Sequence, residues 1–142
     1  MTKFLKKDVD MKSFGILVMS VMFLWSGVNK ILSFDKKVET LVKKTGWPVM
    51  LCIVGMIGVI ILESIGFILL LEYYLNMPIL TKLLSPLIGQ RELIQLILIT
   101  IILFIIVVTL IYHPLDVSRP IPFLTNLTIL GAFIYVYADL FN

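Results

Sequence analysis

Four long apolar runs constrain the fold of this chain more than any other feature of its sequence. They cover approximately residues 14–32, 49–75, 93–112 and 121–140. Each run approaches or exceeds the roughly 20 residues with which a helix crosses a hydrocarbon layer about 30 Å thick. Because no water is present there to satisfy backbone polar groups, runs of this length are expected to be helical. The sequence therefore predicts an all-α integral membrane protein, a four-helix bundle that crosses the bilayer four times.

The composition argues against the main classes of water-soluble protein. Hydrophobic residues make up 60% of the 142 residues and charged residues 15%, and the mean hydropathy is +1.08. An ordinary soluble domain carries about 25% charged residues, which coat its core. A soluble enzyme, a secreted disulfide scaffold and a disordered regulator are therefore poor interpretations, and the lipid bilayer is the expected partner.

The chemistry open to the chain is limited by its single cysteine and its single histidine. Cys52 alone forms no internal disulfide, and with His113 it falls short of the three or four ligands of a usual zinc site. The sequence also contains no phosphate loop and no nucleophile elbow. We expect no metal site, no intrinsic cofactor and no enzymatic activity of this chain on its own. The small net charge of +3 favours lipid headgroups over nucleic acid as a partner.

The chain is expected to form one four-span domain over residues 14–142, preceded by a basic N-terminal tail over residues 1–13. The first apolar run is long and is followed by no A-x-A-like site. We therefore predict a retained span rather than a cleaved signal peptide. Basic residues are nearly equal in number on the two sides of the predicted spans, so the positive-inside rule does not fix the orientation.

The connection between the first two runs has an amphipathic pattern. Residues 33–46 read SFDKKVETLVKKTG, with the apolar side chains on one helical face and the lysines largely off that face. This pattern predicts a short interfacial amphipathic helix between helices 1 and 2. A tryptophan follows as an interfacial anchor. The expected membrane-surface contacts are Lys36, Lys37, Lys43, Lys44 and Trp47.

Glu63 lies near the middle of the second apolar run, far from either end. A charged side chain at the bilayer centre costs about 2.5–3.5 kcal/mol on insertion scales, so Glu63 is expected to face the protein interior, paired or protonated. Gly55, Val59 and Gly66 share its helical stripe, and small residues let a neighbouring helix approach. Two interpretations stay open: a proton-active or ligand-binding carboxylate, or a hydrogen-bonded contact between helices.

Several further polar residues fall in the half of the predicted bilayer opposite the N terminus, with Glu63 deeper. Lys30 either extends to the membrane surface or turns inward and pairs with Glu63. His113 either caps the third helix or relays a proton, and Asn126 is also suited to bonding helices together. Their convergence predicts a ligand-binding pocket formed by Asn29, Lys30, Glu63, His113 and Asn126.

Four short motifs follow one another along the chain: MFLWSGVNKILSF over residues 22–34, ESIGFILLL over 63–71, YHP over 112–114 and TNLTILGA over 125–132. In this order they resemble the helix signatures of the DoxX-like membrane proteins. The chain departs from that family in being unusually rich in Ile and Lys and in having fewer glycines in its second helix.

The resemblance covers most of the chain and implies a four-helix membrane bundle whose candidate pocket residues are Lys30, Glu63, His113 and Asn126. Some members of the family are subunits of quinone-linked sulfur-oxidation or terminal-oxidase complexes. The resemblance therefore implies a non-catalytic or accessory subunit of a membrane redox assembly. A quinone or lipid would be its bound molecule, and a protein partner or a second copy of the chain its neighbour.

Two other functions stay open at the level of sequence. The chain is also suited to being a structural component of a larger complex or of a membrane-lined particle, in which case its polar residues hold helices together. Alternatively it binds or carries a lipid or small molecule. The spans show none of the interruptions that are typical of transporters.

Overall fold

The computed structural model describes residues 11–77, 79–84, 86–118 and 120–141, and all regular elements within these ranges are helical. In chain order they are α1 (Met11–Leu32), α2 (Phe34–Thr45), α3 (Val49–Ile61), a π-helical segment (Leu62–Gly66), α4 (Phe67–Leu75), α5 (Leu80–Leu84), α6 (Gln90–Tyr112) and α7 (Ile121–Phe141). Most of the predicted N-terminal tail, residues 1–10, lies outside the described residues, and Met11–Ser13 belong to α1.

Four helical stretches in the described part of the chain are long and apolar enough to cross a membrane, as predicted. They are Ser13–Leu32, Val49–Leu75, Gln90–Tyr112 and Ile121–Phe141. The third begins before the apolar run does, because residues 90–92 continue the helix as polar residues. Gly89 precedes it as an N-cap residue. The negative charge of Glu92 in the first turn interacts favourably with the positive end of the helix dipole.

The predicted amphipathic segment forms α2, which packs its apolar face on α3. Val38 is buried there against Cys52 and Met56, and the other apolar residues of α2 are partly buried around them. The helix ends at Gly46, which adopts the left-handed conformation (φ 69°) and donates its backbone N–H to the carbonyl of Val42 at 2.8 Å. Glycine suits this position because it has no Cβ to clash there.

Three phenylalanine rings join α1, α4 and α7 in the core. Phe23 and Phe67 are stacked with ring centroids 4.3 Å apart, and Phe133 meets both rings edge-on at 5.9 and 5.7 Å. Phe133 is the one fully buried residue of α7. Partly buried residues of the same helix pack against this core: Ile129, Leu130, Val136, Tyr137, Leu140 and Phe141. One face of α6 completes the core with Leu93, Ile94, Ile97, Leu98, Ile101 and Ile105.

The connection from α4 to α6 contains the short helix α5, which the sequence analysis did not predict. The side chain of Glu72, in the preceding helix α4, accepts hydrogen bonds from the first residues of α5 and from the residue before it. One carboxylate oxygen accepts hydrogen bonds from the backbone N–H groups of Ile79 and Thr81 and from the Thr81 hydroxyl, and the other accepts from Leu80 N–H, at 2.9–3.2 Å. These N–H groups have no partner within a helix that starts at Leu80, so Glu72 acts as a distant helix cap.

Replacing Glu72 with Ala should loosen α5 while leaving the apolar core in place. The variant loses four hydrogen bonds to a charged acceptor, so amide hydrogen exchange over residues 79–81 should speed up by about tenfold or more. Hydrogen exchange with mass spectrometry in detergent measures this directly. Glu39→Ala, in the distant helix α2, is the control, and equal exchange at residues 79–81 in both variants would contradict the capping role of Glu72.

Candidate functional site

The candidate site is an ion pair between the second long apolar segment and the end of α1. The Lys30 Nζ atom lies 2.9 Å from Glu63 Oε1 and 2.7 Å from Glu63 Oε2, and it also donates to the Ser26 hydroxyl at 2.6 Å. These three acceptors match the three N–H donors of the ammonium group. The side chain of Glu63 is only 3% exposed and that of Lys30 is 20% exposed, so the carboxylate is closed off and the ammonium is partly accessible.

Close packing of two helices brings the pair together. A Cβ atom on Gly27 would lie 2.8 Å from the Ser64 hydroxyl oxygen and 3.5 Å from Glu63 Cβ, so glycine is what lets α1 approach this closely. Glu63 and Ser64 belong to the π-helical segment Leu62–Gly66. Single π-helical turns within α-helices are frequent at functional sites. The local backbone therefore places Glu63 against the last turns of α1.

The small residues expected to admit a neighbouring helix do not all do so. Gly66 is buried and close to Leu62 and Ile97, but a Cβ atom on Gly55 would meet nothing within 4 Å. The close approach occurs at Gly27 instead, which the sequence analysis did not single out. The signal was available in SGVNK, because Gly27 lies one turn before Lys30 on the same side of α1.

The lysines of α2 do not share one environment. Lys37 is half-buried, and the Lys44 ammonium lies 4.9 Å from the centroid of the Tyr112 ring at the end of α6. Lys36 and Lys43 are exposed. The predicted surface residue Trp47 is also exposed, at 47%. Contact of these five residues with a membrane surface stays a prediction.

Lys43 forms an exposed i,i+4 pair with Glu39, with Nζ 2.6 Å from Oε1. The hydrogen bond and the positive charge of Lys43 hold the pKa of the Glu39 carboxyl below its ordinary value. Glu39 therefore keeps its negative charge at neutral and mildly acidic pH.

The other predicted pocket residues do not join the Lys30–Glu63 pair. Asn29 and His113 are exposed, and Asn126 is half-buried. The carbonyl of Asn29 accepts from the Ser33 hydroxyl at 2.7 Å, and the backbone N–H of His113 donates to Thr109 O at 2.9 Å. Within the described ranges no three His, Cys, Asp or Glu side chains are grouped so as to hold a metal ion. A pocket shared by all five residues stays a prediction.

The pair supplies a hydrogen-bond donor and a base in an apolar setting. Lys30 is the more accessible member, so an entering polar group meets its ammonium first. Such a group would replace the Ser26 hydroxyl or one carboxylate oxygen as an acceptor. Glu63 would then keep fewer of its hydrogen bonds from Lys30.

Removing one member of the pair should destabilise the protein asymmetrically. Lys30→Met strands a carboxylate that is almost fully buried, and we expect a loss on the order of 3 kcal/mol in the free energy of unfolding. Glu63→Gln should cost less, because the freed Lys30 ammonium can extend toward water. Equilibrium unfolding in mixed detergent micelles measures both. The double variant should lose less than the sum of the single losses.

The exposed pair between Lys43 and Glu39 provides the matched control. Its members are 73% and 65% exposed, and pairs of this kind contribute about 0.5 kcal/mol or less. Lys43→Met should therefore leave the free energy of unfolding nearly unchanged. Additive losses in the Lys30 and Glu63 variants would contradict direct coupling of the two charges.

No family model, curated protein or solved structure matches the chain. The resemblance to the DoxX-like proteins therefore rests on the four short motifs in the sequence. What the fold contributes independently is a set of four helices of membrane-spanning length, two of which are joined by a buried ion pair.

Proposed function

We propose that the chain is a multi-pass integral membrane protein with a four-helix bundle, and that it serves as an accessory subunit of a DoxX-like membrane redox assembly. In this proposal the Lys30–Glu63 pair is the place where a quinone meets the protein. The chain has no catalytic activity of its own, and a partner supplies the electrons. The observation that carries the proposal is the pair itself, a buried carboxylate bonded to a partly accessible ammonium.

The membrane location is supported by the length and hydropathy of the four helices and by their surfaces. In each of these helices, no more than 33% of the most apolar 18-residue stretch is buried inside the protein. The remaining apolar surface is far larger than a soluble monomer usually exposes. A bilayer covers such a surface without a further protein partner.

A quinone suits the pair because its carbonyl oxygens accept hydrogen bonds and its reduction consumes protons. Lys30 would donate to one carbonyl oxygen, and its positive charge would stabilise the negative charge that develops on reduction. Glu63 would hold a proton near that oxygen and exchange it. The isoprenoid tail would lie along the apolar helix surfaces, where no polar partner is needed.

A structural role is the second candidate, and it has an observation in its favour. Every donor of the Lys30 ammonium already has an acceptor within the protein, and Gly27 packs tightly against Ser64. A pair that is satisfied in this way can hold α1 in place with no ligand. The chain would then be an anchor within a larger complex.

Quinone binding tests the proposal directly. The purified protein in lipid nanodiscs is titrated with decylubiquinone, and the bound quinone is measured by equilibrium dialysis. Saturable binding is expected for the wild type, with a Kd raised roughly tenfold in Lys30→Met and in Glu63→Gln, because each variant loses a charge-assisted contact. Lys30→Arg keeps the charge and should keep part of the affinity.

Lys43→Met controls for the loss of a lysine elsewhere and should bind quinone as the wild type does. Equal binding in the wild type and in both pair variants would contradict the proposal. Extraction with its membrane neighbours followed by native mass spectrometry distinguishes the second candidate. A stable protein partner without any small molecule, in both the wild type and Glu63→Gln, would favour the structural role.

A further inference from the structure

A groove runs between α2 and α3, and neither Lys30 nor Glu63 is among its lining residues. Its volume is about 290 Å³, close to the lower end of the usual range for ligand pockets. Its lining residues are Phe34, Asp35, Val38, Glu39, Val42, Val49 and Ile53. These seven residues define the α2–α3 groove. Five of them are apolar, and the two polar ones are both carboxylates.

The two carboxylates of α2 lie on one side of the helix, and Lys37 and Lys44 lie on the other. Lys44 lies over the Tyr112 ring, and Lys37 lies about 20° from Lys44 around the helix axis, whereas Lys36 and Lys43 are exposed and lie nearer to Glu39. The two carboxylates, Asp35 and Glu39, line the groove. At 100° per residue Asp35 and Glu39 lie about 40° apart on the helix, well separated from Lys37 and Lys44. The groove therefore joins an apolar floor to two carboxylates, of which Glu39 is paired with Lys43 and Asp35 is in no ion pair among the described residues.

The two carboxylates of the groove can accept further hydrogen bonds. Glu39 accepts from Lys43 through Oε1, which leaves its second oxygen unoccupied by that contact. Among the described residues no ion pair engages Asp35, whose side chain is exposed. Each carboxylate oxygen accepts up to two hydrogen bonds. A ligand with several N–H donors would thus find acceptors on both residues.

The groove lies where an apolar span begins. Val49 is the first residue of α3 and is 56% exposed, and Ile53 follows it one turn deeper along the same side. In the membrane location proposed above, this level is the boundary between headgroups and acyl chains. The groove would be open to lipid from the side, with its floor in the hydrocarbon layer and its carboxylates among the headgroups.

We propose that the α2–α3 groove binds a phospholipid with a primary ammonium headgroup, such as phosphatidylethanolamine. One acyl chain lies along Val49 and Ile53, and the ammonium donates hydrogen bonds to Asp35 and Glu39. The inference rests on the proposed membrane location and does not depend on the quinone site.

Charge and donor chemistry select this headgroup over the common alternatives. An anionic headgroup such as glycerol phosphate brings a negative charge close to Asp35, the carboxylate of the groove that is in no ion pair among the described residues. A choline headgroup is cationic but has no N–H donors, and quaternary ammonium groups are usually held by several aromatic rings. Phe34 is the single aromatic residue of the groove. A primary ammonium has both the charge and three donors.

Lipid competition tests the proposal. The full chain is reconstituted with equimolar dioleoyl phosphatidylethanolamine, phosphatidylcholine and phosphatidylglycerol, and the lipids it retains are counted by native mass spectrometry. The wild type should retain the ethanolamine lipid over each of the others by roughly threefold or more, as expected for exposed charge pairs. The double variant Asp35→Asn, Glu39→Gln should lose this preference.

Two further variants separate the floor from the carboxylates. Val49→Trp fills the groove from an exposed position and should reduce retention of the ethanolamine lipid with both carboxylates in place. Ile53→Phe serves the same purpose if Val49→Trp proves unstable. Lys36→Gln alters the charge of α2 at a residue that does not line the groove, and it should keep the preference. Lys30→Met, which disables the proposed quinone site, should also keep it.

The outcomes are distinct. Equal retention of the three lipids by the wild type, or a preference for phosphatidylglycerol, would overturn the proposal. It would also be overturned by an ethanolamine preference that survives in both the carboxylate and the groove-filling variants. A dimer that is abolished by Val49→Trp would assign the groove to a second copy of the chain. If the wild type binds no quinone but still prefers the ethanolamine lipid, only the quinone site is rejected.

Discussion

A carboxylate far from both ends of an apolar segment needs a partner for its charge, and a neighbouring helix must supply it. For Glu63 this partner is Lys30, and the two charges come within 2.7 Å of each other. That distance requires α1 to approach the π-helical segment closely, which is possible because Gly27 has no side chain to collide with Ser64. The stacked rings of Phe23 and Phe67 continue the same contact toward the other end of α1. The arrangement of α1 against the second long segment thus follows from the cost of leaving one charge unpaired.

The sequence predicts the helices well and the contacts between them poorly. Runs of apolar residues reveal the long helices because length and hydropathy are local properties, and the period of its apolar residues reveals α2. Glu63 stands out for the same reason. The sequence allows two positions for Lys30, at the membrane surface or beside Glu63, since pairing depends on how α1 and the second segment are offset. The π-helical turn also changes the phase of the helix, so that Gly55 and Gly66, which share a stripe in a regular helix, differ in burial.

Contacts across loops were beyond the reach of sequence patterns. Glu72 caps α5 over a separation of seven to nine residues, and no repeat in the sequence pattern predicts such a hydrogen bond. His113 directly follows the last residue of α6 and Asn126 lies in the second turn of α7, as expected, but height along a span does not determine which way a side chain points. Their place in a shared pocket stays a prediction, whereas Lys30 and Glu63 are joined in the structure.

The division of charge in α2 also has a mechanical consequence. The four lysines and the two carboxylates of α2 are centred on different sides of the helix axis, so the helix has an electric dipole across its axis as well as along it. Its energy therefore depends on its roll about that axis. A change in the charge of the surrounding lipid would exert a torque on α2, opposed by the buried Val38 beneath it. A small roll would also move Lys37 relative to the Lys30–Glu63 pair, so the charge of the lipid surface would affect the surroundings of a carboxylate that is only 3% exposed.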